Sequence, residues 1–248
     1  MERDFRSFTD VLAKLAPISE RLVLVGGQAL NFWAEFYASR VPELRAEAPY
    51  ASDDADFLGG PLEVKAAARL LNGTPYLATF DDSTPNTGKV VFADERGESE
   101  GIDFLSDPPF GLKRGDVEKY AFPFEVGGIV LRIMHPFHCM QSRAKNVHGL
   151  KGYQTPHAIK QLRASVFCAR EFFRDLLERG ELKAVRKWFQ RAYDFAANDD
   201  ASVFVFETYG VDTFGAVFAD DRLGGFNAES YPRMVASLGQ IRERRAKS

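Results

Sequence analysis

Two acidic side chains, Asp54 and Asp56, are separated by one residue in the segment Ser52-Asp53-Asp54-Ala55-Asp56-Phe57-Leu58. A β-strand directs alternate side chains to one face, so the two carboxylates are expected about 7 Å apart along the backbone on the same face. Negative charges this close repel each other, and a bound divalent cation is the usual way in which both stay ionised. The pair therefore predicts a metal site.

A glycine turn and a third acid accompany this pair. The apolar run Leu22-Val23-Leu24-Val25 predicts a buried strand, which ends in Gly26-Gly27 just before a pattern with helical spacing. A strand, glycine turn and helix in this order offer backbone N–H groups and the positive end of a helix dipole, which suit a phosphate. Asp103 lies in a later predicted strand. Because Mg²⁺ prefers a few carboxylates together with water and phosphate oxygens, these residues predict a site that handles nucleotides.

The elements that must position these residues fall into two halves. Strands are expected over residues 22–25, 55–58, 76–80, 90–93 and 102–105, and a hairpin is expected over 124–133. Helices are expected over residues 5–15, from Gln28 onward and over 62–71, and a loop is expected over 42–50. Long helical patterns then cover residues 137–149, 156–179 and 181–197, and a charged end from Arg242 to Lys247 is expected to be solvated. The chain is therefore expected to be α+β, with a mixed sheet and flanking helices in residues 1–135 and a helical domain in residues 136–248.

Composition narrows the class of protein. The 248 residues carry a formal net charge of −3, which argues against a protein that mainly coats nucleic acid. No apolar run approaches the ~18 residues that a membrane helix needs, and the start Met1-Glu2-Arg3-Asp4 has no signal-peptide pattern. We therefore expect a cytoplasmic protein with no membrane association. Cys139 and Cys168 are too few and too far apart for a disulfide framework, and both are expected to be reduced and buried.

The order of these motifs carries a family resemblance. Gly26-Gly27, Asp54-x-Asp56 and Asp103 resemble the nucleotidyltransferase superfamily related to DNA polymerase β, and in particular its bacterial branch of abortive-infection and type IV toxin-antitoxin nucleotidyltransferases. The two matching segments are Leu24-Val25-Gly26-Gly27-Gln28-Ala29-Leu30 and Ser52-Asp53-Asp54-Ala55-Asp56-Phe57. The resemblance spans residues 20–150 and implies a nucleotidyltransferase-like sheet in the N-terminal half.

The resemblance also implies roles. Gly26 and Gly27 would bind the triphosphate, Asp54 and Asp56 would hold Mg²⁺, and Asp103 would complete a site for two Mg²⁺ ions and help to activate an acceptor hydroxyl. The implied reaction transfers NMP from an NTP such as ATP to that hydroxyl. A toxin or defence role with a cognate antitoxin or other protein partner is also implied. Gln28 departs from the Ser or Thr that many members have there, although its amide could also donate to phosphate.

Two groups of polar residues near these motifs have competing interpretations. Arg143, Lys145 and Asn146 lie on the first helix of the C-terminal half, where related enzymes often place basic and polar groups over the nucleotide. We assign Arg143 to nucleotide binding, although a solvated helix face explains these residues equally well. Lys89 begins a strand, and we interpret it as an edge lysine that limits aggregation rather than as a triphosphate contact.

Other candidate ligands rank lower. Asp81 and Asp82 are an alternative source of the third acid, but the following Thr84-Pro85-Asn86-Thr87-Gly88 is typical of an exposed loop. His135, His138 and Cys139 suggest zinc, yet no second matching pair of ligands follows them at a suitable spacing. We therefore do not predict a zinc site.

The acceptor and the class of function stay open at this point. Transfer RNA, a protein side chain and a small molecule are all compatible acceptors, because acceptor contacts would come from the less recognisable C-terminal half. A non-catalytic interaction protein that keeps the fold is the main alternative, and a metal-dependent phosphohydrolase is a third. Stabilisation by Mg²⁺ with an NTP distinguishes the enzyme from the interaction protein, and release of phosphate or NMP without an acceptor indicates the hydrolase.

Overall fold

A computed structural model describes residues 8–52, 55–79, 82, 86–94, 97–108, 111–126 and 128–245. The chain divides into two compact units, Met1–Ser142 and Arg143–Ser248. The first is a seven-stranded mixed sheet with helices, and the second is mostly helical. The α+β expectation is therefore confirmed. The division falls inside a helix, whereas the sequence pattern suggested a change of character at residue 135.

The first unit contains the seven strands of the sheet and the helices that pack against them. Its strands are β1 (Val23–Val25), β2 (Ala55–Leu58), β3 (Thr74–Leu77), β4 (Asn86–Ala93), β5 (Ser99–Leu105), β6 (Phe122–Val126) and β7 (Ile129–Ile133). Its helices are α1 (Thr9–Leu15), α2 (Gly26–Tyr37), α3 (Pro42–Ala46), α4 (Pro61–Leu70) and α5 (Arg114–Tyr120), with a 3₁₀ turn over Ala16–Arg21, and α6 (Pro136–Gly149) begins within it.

The strand order is β3-β4-β5-β2-β1-β7-β6. The pairs β2/β5 and β1/β7 are parallel, and the remaining four pairs are antiparallel. The short β1 is buried at every position, as expected of an apolar strand with neighbours on both sides. The predicted hairpin is present as β6 and β7. Phe57 of β2 and Phe104 of β5 are paired in register and fully buried, with ring centroids 6.0 Å apart, so one face of the central sheet belongs to the core.

Two local expectations for this unit were incomplete. Residues 42–50 were expected to be a loop, but Pro42–Ala46 form the helix α3. Proline suits a first helical position because its fixed φ matches the helix and its missing N–H is not needed there, and Leu44 anchors the turn by complete burial. Helix α5 was not predicted, because its seven residues bury a single apolar side chain, Val117.

The second unit consists of the end of α6 and four longer helices. These are α7 (Pro156–Glu178), α8 (Leu182–Asn198), α9 (Asp200–Tyr209) and α10 (Tyr231–Arg245), joined by 3₁₀ turns over Lys151–Tyr153, Thr213–Ala216 and Asp221–Leu223 and a π-helical turn over Phe226–Ser230. The hydroxyl of Thr155 caps α7 by accepting from the N–H of Ala158, and Gly180 follows the helix with φ +77°. Its core includes Phe173 and Phe189.

The C-terminal end is solvated only in part, because Glu243 and Arg244 are exposed as expected whereas Arg242 is partly buried. Helix α10 continues to Arg245, and Arg242 donates two hydrogen bonds to the Asp212 carboxylate, at 3.1 and 2.6 Å. The bidentate pair fixes the last turns of α10 against the loop that carries Asp212. In the described segments, no helix combines the length and the apolar character needed to cross a bilayer.

Candidate functional site

Three charged side chains, Lys89, Asp103 and Asp56, lie in one row across the sheet of the first unit. We call this row the acid row. Asp56 of β2 is paired with Asp103 of β5, and Asp103 is paired in turn with Lys89 of β4. Paired residues on neighbouring strands point to the same face, and the strands are about 4.8 Å apart. Because Phe57 and Phe104 follow these acids directly, they point to the opposite, buried face. Asp103, which was expected in a later strand, therefore lies on the strand next to that of Asp56.

The glycine turn is in direct contact with this row. Val25, the last residue of β1, is paired with Asp56, and the chain turns at Gly26 into α2. Gly26 has φ +65°, a conformation that L side chains rarely adopt. A Cβ on Gly26 would also collide with Oδ2 of Asp56. Glycine is therefore required here both by the backbone conformation and by the closeness of the carboxylate.

The second glycine contacts the same acidic segment. A Cβ on Gly27 would collide with the Ser52 hydroxyl, which immediately precedes the Asp53-Asp54 pair in the chain. Helix α2 thus begins against β2 and its approach segment, with its positive end toward them. Its N-cap residue is Val25, whose side chain makes no capping hydrogen bond. The backbone N–H groups at the start of α2 therefore have no side-chain cap from Val25, and such groups suit an anion, as the sequence predicted.

Gln28 has a structural engagement that the sequence did not indicate. It is almost completely buried, its Nε2 donates to the backbone carbonyl of Ser52 at 3.2 Å, and its Oε1 accepts from Nδ2 of the fully buried Asn31 at 3.4 Å. The side-chain amide therefore ties α2 to the segment that leads into β2. These contacts give Gln28 a role in positioning that segment, and its role as a phosphate donor stays a prediction.

The interpretation of Lys89 as an edge lysine is wrong. Strand β4 lies between β3 and β5, so Lys89 is not on an edge strand. Its Nζ lies 3.7 Å from Oδ2 of Asp103, and the side chains are 42% and 15% exposed. A Cβ on Gly101, two residues before Asp103, would collide with Cε of Lys89. The lysine chain thus passes over Gly101 to reach the acid, and this bare position is the signal that sequence reasoning missed.

The carboxylates of the acid row are the candidate ligands for a metal ion. Asp54 lies outside the described residues, and across the described ranges no three His, Cys, Asp or Glu side chains form a metal-ligand cluster. Asp56 and Asp103 nevertheless supply two carboxylates in register on one face. Mg²⁺ is commonly held by one or two carboxylates plus water and phosphate oxygens, so this pair fits it. The bare Gly26 beside Asp56 is consistent with that reading, since any side chain would fill the space at the carboxylate.

Arg143 belongs to the second unit and is considered there alone. Its side chain is 6% exposed, its Nη1 donates to Oε1 of Gln161 at 2.9 Å, and its buried Nε has no hydrogen-bond acceptor among the described residues. Asn146, one turn along α6, is also buried with Oδ1 unsatisfied. Lys145 differs, because its Nζ forms a 2.8 Å ion pair with Asp199. The expectation of a solvated helix face is therefore wrong for Arg143 and Asn146.

The remaining candidate ligands have structural partners. His135 accepts a hydrogen bond at Nδ1 from the N–H of Phe137 at 3.1 Å, and Nε2 of His138 lies 3.7 Å from Oδ2 of Asp116. Cys139 is buried, and its Sγ lies 3.6 Å from the carbonyl oxygen of Met134. Both cysteines are buried, as expected, and neither forms a disulfide within the described residues.

Clear pKa shifts occur on exposed turns, away from the acid row. The N–H of Thr79 and then its hydroxyl hydrogen-bond to Asp82 and lower the pKa of that carboxyl. The guanidinium of Arg222 likewise lowers the pKa of Asp220 by donating to it. Asp82 is thus used within an exposed turn, which agrees with ranking it below Asp103. Asp81 lies outside the described residues.

Comparisons with known proteins give little. Neither a protein-family model nor a curated protein matches this chain. One solved structure that is similar to it is the crystal structure of JHP933 from Helicobacter pylori, with 13% sequence identity, 98% of this chain and 94% of that chain covered, and a TM-score of 0.39. With so low a TM-score, this similarity assigns neither a family nor a function.

Proposed function

We propose that the protein is a Mg²⁺-dependent nucleotidyltransferase of the DNA polymerase β-like superfamily, which transfers NMP from an NTP to a hydroxyl acceptor and releases pyrophosphate. The observation that supports this most is the in-register pair Asp56 and Asp103 beside the Gly26 turn. Two carboxylates beside the start of a helix combine a place for a divalent cation with a place for a phosphate.

The proposed chemistry assigns one task to each group. The acceptor oxygen forms a bond to the α-phosphorus, the bond from that phosphorus to the bridging oxygen of the pyrophosphate breaks, and the hydroxyl proton leaves toward Asp103. Bound Mg²⁺ would neutralise charge on the phosphates and the leaving group. Asp56 and Asp103, together with Asp54, would hold it. The N–H groups at Gly26 and Gly27 would orient the triphosphate. Nucleotide binding by Arg143 stays a prediction.

Lys89 enters the proposal through its charge. The row Lys89, Asp103 and Asp56 has one positive and two negative formal charges, so it carries a net −1. A lysine near this pair reduces the repulsion between the two carboxylates and can also meet a phosphate oxygen. Lys89→Met should therefore weaken NTP use, whereas unchanged NTP use in this variant would contradict a role for the lysine charge.

Label transfer tests the proposal directly. The protein is incubated with Mg²⁺ and each NTP labelled at the α-phosphate, together with cellular RNA and protein, and the labelled product is identified. Asp56→Asn and Asp103→Asn should each lower transfer by about a hundredfold or more while the fold persists. Glu125→Gln is the matched control, because it makes the same carboxylate-to-amide change at an exposed position of β6, on the far edge of the sheet.

The other outcomes distinguish the alternatives. Full transfer in either acid variant contradicts the site. Label appearing only as free NMP or phosphate indicates a phosphohydrolase. No label transfer, together with no thermal stabilisation by Mg²⁺ and an NTP, indicates an interaction protein. The acceptor, a cognate antitoxin or other partner, and a cytoplasmic location stay predictions.

A further inference from the structure

A groove in the second unit has the features of a ligand site and is independent of the proposed transfer reaction. Its volume is about 550 Å³, and it lies between the loop of residues 212–219, helix α10 and Arg170 of α7. We call it the α10 groove. Its apolar lining includes Phe214, Val217, Phe218, Tyr231 and Leu238. Pockets for small molecules are typically of this size, and this groove combines its apolar residues with the charged side chains of Arg170, Asp212 and Arg242.

Aromatic rings shape the apolar side of the α10 groove. The rings of Phe214 and Tyr231 are stacked, with centroids 6.1 Å apart and an angle of 14° between their planes. Phe214 and Phe218 are largely buried, so their positions are fixed by packing rather than by solvent. Because these rings are held in place by packing, an aromatic ligand would contact them without reordering the protein.

The groove has one cation without an acidic partner. Arg242 is neutralised by its bidentate pair with Asp212. The Arg170 guanidinium instead lies 5.9 Å from the ring centroid of Phe218, and its buried Nε has no hydrogen-bond acceptor among the described residues. Because Arg170 lines the groove, the positive charge of its guanidinium favours a ligand that brings a negative charge.

A glycine keeps the groove open. Gly239 lies inside α10, where glycine lowers helix stability by about 1 kcal/mol relative to alanine. A Cβ on Gly239 would meet no atom within 4 Å, so close packing does not require a glycine there. Gly239 lines the groove, and any larger residue would narrow it.

We propose that the α10 groove binds a small aromatic anion, with its ring over the Phe214 and Phe218 side of the groove and its anionic group on the Arg170 guanidinium. The charge and the ring make separate contributions. The guanidinium supplies a charge-assisted hydrogen bond, and the apolar lining supplies burial.

A matched pair of probes separates these contributions. Isothermal titration of the full chain uses indole-3-acetate and its neutral analogue indole-3-acetamide. The acetate should bind at a concentration of about 1 mM or below and at least tenfold more tightly than the amide. Equal affinities, or no binding of the acetate at that concentration, overturn the proposal.

Two variants locate the binding. Arg170→Met should remove the preference for the acetate, and Gly239→Leu should weaken both probes by filling the groove. Arg174→Met is the control, because Arg174 also lies over Phe218, at 5.4 Å, but is paired with Glu171 and does not line the groove. Acetate binding that survives both Arg170→Met and Gly239→Leu contradicts the assignment. If Arg170→Met does not fold, Arg170→Lys replaces it and should lower the preference without abolishing it.

Discussion

Replacing Gly26 by alanine tests the contact between the glycine turn and the acid row. The change forces an L residue into φ +65°, which costs about 1–2 kcal/mol. The new Cβ also collides with Oδ2 of Asp56, and such overpacking typically costs about another 1–3 kcal/mol. We expect Gly26→Ala to lower the free energy of unfolding by roughly 2–5 kcal/mol in total.

A double-mutant cycle separates the two terms. In an Asp56→Ala background the carboxylate is absent, and the nearest remaining atom of residue 56 is its Cβ, 3.3 Å from the new methyl group. Gly26→Ala should then cost mainly the conformational term of about 1–2 kcal/mol, because the remaining 3.3 Å contact needs only a small shift. The difference between the two backgrounds, about 1–3 kcal/mol, is the coupling energy between Gly26 and the carboxylate.

The assay must report on the first unit alone. The chain has two tryptophans, and Trp33 is buried in α2 with Nε1 donating to the carbonyl of Met134 at 2.9 Å. Trp188 lies in the second unit, stacked on Phe173, so Trp188→Phe keeps an aromatic ring there and leaves Trp33 as the reporter. Urea unfolding followed by Trp33 fluorescence then gives each free energy. Equal costs of Gly26→Ala in both backgrounds would refute the contact, and a stabilising effect would refute the left-handed conformation of Gly26.

Three further predictions concern other contacts. Gly101→Ala should displace the Lys89 chain from Asp103, so the NTP concentration for half-maximal transfer rises as in Lys89→Met, and the double variant should be no worse than either single one. Phe57→Ala should lower the free energy of unfolding by about 3–5 kcal/mol in urea titrations, because it empties a fully buried site. Asp220→Asn should lower the thermal midpoint slightly at neutral pH and not at a pH below the folded-state pKa of Asp220. The guanidinium two residues on lowers that pKa, so its stabilisation is present above the unfolded pKa, is lost as pH falls through the folded pKa, and weakens in high salt.

The sequence predicted the parts of the fold in which local pattern and tertiary packing agree. Strand β1 is apolar throughout because both of its edges and faces are covered, and the long helix α7 has a clear start at Pro156. Helix α3 was missed because its five residues carry one anchoring apolar side chain, Leu44, which is too few for a period to be seen. Arg242 was expected to be solvated, since its acidic partner Asp212 is thirty residues away in sequence.

At the candidate site, the positions of the two acids could be predicted in part from the sequence, whereas the role of the lysine beside them could not. The resemblance implied one site for Asp56 and Asp103, and the strand register shows that they are paired on neighbouring strands. The role of Lys89 could not be predicted, because it depends on strand order and on the missing side chain of Gly101 two residues from the acid. Charges contributed by non-neighbouring segments become visible only when the sheet is assembled.

Backbone pairing, rather than side-chain packing, holds the proposed site together. Register hydrogen bonds bring Lys89, Asp103 and Asp56 to one face, and they do not depend on which side chains those positions carry. Amide variants of the acids should therefore keep the sheet while losing the charge. The Gly26 turn is the opposite case, because its conformation and the adjacent carboxylate leave no room for any side chain. Amide variants of Asp56 and Asp103 thus test the proposed chemistry with little effect on folding. Variants of Gly26 test the backbone geometry on which that chemistry would depend.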